Sequence, residues 1–262
     1  MVPFFQHIAV PLDASGAALA AYRMAELMHT RFKSKLSVIH VSEGEGDSLV
    51  KVKTLVDDRA KAGIPINLEL RTGSIYKNIV KAADDLQADL MILGTHGAFG
   101  FQAFWMGSNA YRVVSSAHCP TITVQEHVPR NDIKTIVLPI DTSAETRQKV
   151  PMAALMAKNF DATIHILGVS TDRDDEAQRY VKLYSNQVEE YLEKNGIAFV
   201  REQRMGGNIT QNTIAYGKEV NADLIIIMTE QEPNGSAFFM GKFAQQMVHQ
   251  SPIPVMSVKP RA

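Results

Sequence analysis

The clearest chemical signal in this chain is a set of small residues. Gly94, Gly97, Gly107 and Ser108 stand in the spacing G-x2-G-x9-G-S, directly after the apolar run 90–94 and directly before a segment of helical periodicity. Glycines let backbone N–H groups come close to a phosphate and adopt positive φ, and a helix start offers unpaired N–H groups and a partial positive charge. The Ser108 hydroxyl can add a further donor to a phosphate oxygen. Local chemistry alone leaves a second reading open, in which the segment is a flexible turn and Ser108 a plain helix N-cap. Asp13, just past the first apolar run, is likewise either a ligand-facing carboxylate or the cap of the following turn.

Such a loop works only if regular elements hold it, and the chain supplies them twice. Ala88-Asp89-Leu90-Met91-Ile92-Leu93 recurs as Ala222-Asp223-Leu224-Ile225-Ile226-Ile227, a shift of 134 residues. The same shift pairs Gly73 with Gly207, Gly107 with Gly241, Ala110 with Ala244 and Pro120 with Pro254. At the front, Ile8-Ala9-Val10-Pro11-Leu12-Asp13 matches Ile136-Val137-Leu138-Pro139-Ile140-Asp141 at a shift of 128, so the second copy has a longer middle. A repeat of this length is a whole domain. The boundaries follow as 1–128 and 131–262, with the polar stretch 126–132 as linker.

Short apolar runs alternate with helical patterns in each copy, the signature of βαβ units feeding a parallel sheet. Strands are expected at 8–12, 36–41, 64–70, 90–94 and 121–124, and again at 136–140, 163–169, 198–203, 224–228 and 255–258. Helices are expected at 17–31, 48–61, 74–87 and 108–117, and at 144–159, 174–194, 208–221 and 242–250. The predicted fold is therefore α/β, two tandem doubly wound domains, each with a five-stranded parallel sheet. Ligands of such sheets bind beyond the carboxyl ends of the strands where the strand order reverses, which selects the loops after the first and fourth strands.

The segment from Gly94 through Ser108, with its continuation Asn109-Ala-Tyr-Arg-Val-Val-Ser-Ser-Ala-His-Cys-Pro120-Thr-Ile-Thr-Val124, resembles the universal stress proteins. Their G-x2-G-x9-G-(S/T) signature is matched at every fixed position, and Ile8-Ala9-Val10-Pro11-Leu12-Asp13 resembles their opening strand and acidic residue. The resemblance runs over both halves. It implies a Rossmann-like, adenine nucleotide α-hydrolase-like (HUP) fold, with ATP or another adenine nucleotide as ligand and magnesium as an optional companion. It also implies a site: Pro11 and Asp13 facing the adenosine, the Val41 backbone at the base edge, Gly94 at the ribose, His96 and Gly97 along the phosphates, and Gly107, Ser108 and Asn109 receiving them. A stress-response or signalling module follows, with the two copies as an internal pseudo-dimer and a homodimer as a further assembly.

The second copy departs from this pattern. Gly94 becomes Met228, Gly97 becomes Gln231 and Ser108 becomes Lys242, and only Gly241 persists. Glu230 and Glu232 stand where phosphate charge would sit, so that copy is expected to bind triphosphate weakly or not at all. The stretch Gly235 to Lys242 fails as a P-loop because Phe243 replaces the required Ser or Thr.

The remaining features narrow the function class. Twenty-seven Lys plus Arg against 28 Asp plus Glu give no field for nucleic acid or an anionic membrane. The sole cysteine, Cys119, allows no internal disulfide. The N-terminal stretch lacks a signal-peptide pattern and no run approaches a membrane span, so a cytoplasmic location is expected. His96, His118 and Cys119 lack the companions of a metal or nucleophile site, so no metal and no catalytic residue is expected. Phosphoryl transfer would need a base and a cation near the leaving group, which the loop does not supply, so the expectation is binding and not an enzyme. Two alternatives stay open: a protein- or lipid-like-ligand binder using the apolar cluster Phe99, Phe101, Phe104, Trp105 and Met106 with a vestigial motif, and a slow ATP hydrolase.

Overall fold

The computed structural model describes residues 4–42, 47–95, 109–126, 132–229 and 240–260. The chain divides into two compact units, Met1–Pro129 and Arg130–Ala262.

The first unit runs β1 (His7–Pro11), α1 (Gly16–Phe32), β2 (Lys35–Ser42), α2 (Asp47–Lys61), β3 (Ile66–Thr72), α3 (Ile75–Asp85), β4 (Leu90–Gly94), α4 (Asn109–Ser116) and β5 (Thr121–Val124). Its strands are parallel in the order β3-β2-β1-β4-β5. The second unit runs β6 (Thr135–Ile140), α5 (Val150–Phe160), β7 (Thr163–Ser170), α6 (Asp175–Lys194), β8 (Phe199–Met205), α7 (Ile209–Glu219), β9 (Leu224–Met228), α8 (Lys242–Gln250) and β10 (Val255–Val258). It repeats the order as β8-β7-β6-β9-β10. In both units the chain winds outward from the first strand, then crosses back to place the fourth strand on its other side. That reversal is the switch point of a doubly wound sheet.

The central strands read as unbroken apolar runs because helices cover both faces. Ile8, Ala9 and Val10 of β1 and Leu90, Met91 and Ile92 of β4 are fully buried. The edge strands β3 and β8 alternate instead, and both use the same polar clamp. The Arg71 guanidinium of β3 lies 2.8 Å from Glu69 and 2.8 Å from Asp85 of α3. Arg204 of β8 repeats this, 2.8 Å from Glu219 of α7 and 3.9 Å from Glu202.

The repeated Ala-Asp-Leu motif also acquires a physical role, at the end of the sheet opposite the switch point. Asp89 accepts from the backbone N–H groups of Gln6 (2.6 Å) and His7 (3.1 Å), and so ties β4 to the start of β1. Asp223 does the same for Lys134 (2.8 Å) and Thr135 (2.9 Å). Gly73 and Gly207, paired by the repeat, adopt φ of +99° and +79° in the turns between edge strand and helix, a region that favours glycine.

One expected element is different. The helix predicted at 144–159 is a short 3-10 helix, Ala144–Arg147, followed by α5 from Val150. Pro151 falls in the first turn of α5, where its missing N–H costs nothing; within a continuous helix from residue 144 it would remove a hydrogen bond and clash with the preceding turn. The third strand of each unit is also displaced toward the C-terminus, to Ile66–Thr72 against 64–70 and to Phe199–Met205 against 198–203. The clamp arginines near the ends of β3 and β8 hold these edge strands extended through residues too polar to read as core.

Candidate functional site

The switch point of the first unit lies between β1 and β4, which pair through Ile8 with Leu90 and Ala9 with Met91. At their carboxyl ends the chain is held tightly. Leu12 N–H donates to Ile39 O of β2 at 2.9 Å, and the Leu12 carbonyl accepts from Nδ1 of buried His40 at 2.8 Å. Ala14 turns the chain through the left-handed region at φ 62°. Asp13 Oδ1 then accepts from Ser15 N–H (2.9 Å), and the Ser15 hydroxyl accepts from Ala18 N–H (3.2 Å) to cap α1. The capping role of Asp13 is real, yet it occupies one oxygen; Oδ2 accepts no hydrogen bond from a described residue.

Gly94 closes the other side. A Cβ there would stand 2.4 Å from the Ala17 carbonyl carbon and 2.6 Å from Ala18 N, so the first turn of α1 sits directly on the end of β4. Backbone at that range cannot yield, which makes glycine a steric requirement at this position. Next to it, buried Thr95 donates from N–H (2.8 Å) and from its hydroxyl (3.4 Å) to Val124 O, joining β4 to β5.

Of the residues expected in the site, Pro11, Asp13, Val41 and Gly94 therefore gather at the carboxyl ends of three adjacent strands, β2, β1 and β4. Val41 is half-buried, next to the last residue of β2. Asn109 is the exposed first residue of α4, a crossover helix that starts on the carboxyl side of the sheet. His96, Gly97, Gly107 and Ser108, with the apolar cluster Phe99 to Met106, lie outside the described residues. Among the described residues no group of three His, Cys, Asp or Glu side chains could hold a metal ion. His40 and Thr95 escape a reading of the sequence because each lies within or beside an apolar strand run, where periodicity reports core and nothing more.

The second unit keeps the link from Thr229 to Val258 O (2.9 Å from N–H, 3.2 Å from the hydroxyl) and the Asp–Ser turn contact, and differs around the helix start. Met228, buried, stands at the position of Gly94, and α5 starts at Val150, beyond the 3-10 helix. Gly168 replaces His40; a Cβ there would meet Val181 Cγ1 of α6 at 2.6 Å. Asp141 Oδ1 accepts from both Ser143 N–H (2.7 Å) and the Ser143 hydroxyl (2.5 Å), while Asp141 N–H donates to the Thr146 hydroxyl (3.2 Å). Buried Lys149 donates from Nζ to Thr146 O at 2.6 Å and to Thr146 Oγ1 at 3.0 Å.

Comparison with known proteins agrees with this architecture. The model of the universal stress protein family matches residues 45–125 and 132–259. The chain belongs to the universal stress protein family. A universal stress protein of Methanocaldococcus jannaschii is 29% identical over 144 residues, covering 47% of this chain and 83% of that protein. One from Mycobacterium tuberculosis is 25% identical over 182 residues, covering 63% of this chain and 66% of its own length. Among solved structures, a universal stress protein from Archaeoglobus fulgidus superposes with a TM-score of 0.74 at 18% identity, over 98% of each chain. A Pseudomonas aeruginosa protein assigned to the same family gives 0.76 at 15% identity, over 99% of this chain and 95% of its own. At these identities the structural likeness speaks for the tandem Rossmann-like fold. No helix among the described residues is long and apolar enough to cross a membrane.

Proposed function

We propose that this universal stress protein binds ATP or a related adenine nucleotide in its first unit, and serves as a binding and signalling module of the cytoplasm, not as an enzyme. The observation that carries this reading is the convergence of Pro11, Asp13, Val41 and Gly94 on the carboxyl ends of β1, β2 and β4, immediately ahead of the G-x2-G-x9-G-S motif. Asp13 Oδ2, which accepts from no described residue, would accept from the sugar hydroxyls or the base. The backbone around Val41 would offer its polar groups to the base edge, and Gly94, whose missing side chain lets the first turn of α1 close onto β4, would border the ribose. Gly97, Gly107 and Ser108 would supply the N–H and hydroxyl donors that phosphate oxygens need. A magnesium ion would arrive with the triphosphate and be held chiefly by it, since no carboxylate cluster stands ready among the described residues.

The test is mass spectrometry of the small molecules released by denaturing gently purified protein. A single adenine nucleotide per chain is expected, absent from Gly107→Val and Ser108→Ala variants that keep the wild-type circular dichroism. Wild-type protein that carries none, even after incubation with ATP, overturns the reading. Steady phosphate release from bound ATP would convert the module into a hydrolase.

A further inference from the structure

We infer that His40 is a positioning residue for the adenosine end of this site, holding the loop that presents Asp13. The inference rests on the nucleotide-binding reading above and assigns a buried histidine that the phosphate motif does not involve.

His40 is almost wholly buried near the end of β2, with 2% of its surface exposed. Its Nδ1 lies 2.8 Å from the Leu12 carbonyl oxygen, across from one strand to the loop after its neighbour. A carbonyl can only accept, so Nδ1 carries the proton and donates. The other side of the same residue is held by Leu12 N–H donating to Ile39 O at 2.9 Å. With both its N–H and its C=O tied to β2, Leu12 leaves the peptide plane that leads into Asp13 little freedom. Asp13 Oδ1 is then fixed by Ser15 N–H, and Oδ2, which accepts from no described residue, is held at a defined place. Because Val41 is the next residue of β2, His40 also locks together the two segments that would frame the base, the end of β2 and the loop after β1.

The second unit is an internal control. The residue at the position of His40 is Gly168, and α6 occupies the space where any side chain would begin. There the backbone ladder itself runs one residue further, pairing Ile140 with Gly168, and the loop beyond it is organised from within by Thr146 and Ser143. The histidine is thus present in the copy with the intact glycine motif and absent from the copy that has lost it.

The test compares wild type with His40→Leu, which keeps the bulk and removes the donor, and His40→Asn, whose Nδ2–H stands the same number of bonds from the backbone as Nδ1–H. Binding of ATP, adenosine and inorganic tripolyphosphate is measured by calorimetry, with the thermal midpoint of each variant. His40→Leu should weaken ATP and adenosine by about tenfold, the worth of one well-placed hydrogen bond, and leave tripolyphosphate unchanged. His40→Asn should restore most of the loss. Equal ATP affinity in wild type and His40→Leu overturns the inference, and so does a loss shared by tripolyphosphate and scaling with the thermal midpoint. Wild-type protein that binds neither ATP nor adenosine overturns the parent reading and this one together.

Discussion

The two units keep the same frame and differ where the chain leaves the carboxyl ends of the strands. Elsewhere in the frame they are nearly interchangeable: Asp89 and Asp223 tie the same strands, and Arg71 and Arg204 clamp the same edges. At the switch point the first unit sends α1 straight off the loop with Gly94 beneath it, whereas the second inserts a 3-10 turn, starts its helix later and fills the space with Met228. A glycine at the end of β4 and an early helix start are one feature seen from two sides. Neither can change alone, so the copy without the glycine also has a different helix start.

The largest effect that separates the units is expected from Met228→Ala. Deleting a buried Met side chain where the helix does not reach leaves a cavity, and should cost about 2–5 kcal/mol in denaturant unfolding. It should leave nucleotide stoichiometry untouched. If the second crevice instead took up nucleotide once the plug was trimmed, the helix register would not matter and the comparison would fail. The reciprocal change, Gly94→Ala, pushes a methyl group into the Ala17 backbone and should cost about 1–3 kcal/mol. Here binding should fall too, because the displaced turn carries Asp13 with it; intact ATP affinity in a destabilised Gly94→Ala would separate the packing role of the glycine from the site.

A smaller contrast comes from the two serines that follow the aspartates. Ser15 caps α1 through its hydroxyl, so Ser15→Ala should lower stability by about 0.5–2 kcal/mol. Ser143 makes no cap bond and spends its hydroxyl on Asp141. Ser143→Ala should therefore cost less in the same denaturation experiment, and equal costs would show that the 3-10 turn is capped after all.

Much of this architecture is legible in the residues themselves. β4, β5, β9 and β10 begin and end where their runs do, because strands buried on both faces carry no charged residues to blur their limits. The repeat announces two copies of one domain, and the lost glycines mark the second as different. The rebuilt helix start was written in Pro151, but the shift of 128 that aligns Phe32 with Phe160 carries a helix back to residue 144 and hides it. Analogy between copies overrode local chemistry there. The role of His40 has no sequence signature, since a histidine inside Val38-Ile39-His40-Val41 reads as core until its partner, 28 residues away, is known.

The smallest expected effect also divides the units, and it is read in acid. His165 of β7 stands where the first unit has Ser37, and burial lowers its pKa below the ordinary 6.5. Its Nδ1 lies 2.9 Å from the Tyr216 hydroxyl, whose ring also meets the Arg204 guanidinium, a cation that offers no help to a charged imidazole. The unfolded chain takes up this proton near pH 6.5 and the folded chain only at lower pH. The stability owed to a neutral His165 is thus complete above that value and declines as pH falls below it. His165→Phe should flatten the pH dependence of the denaturation midpoint below the ordinary imidazole pKa of 6.5, on top of a constant cost for leaving Tyr216 without its partner. Superimposable slopes for wild type and variant would mean that the folded imidazole takes up its proton at the same pH as the unfolded chain, and that acid acts on both units alike.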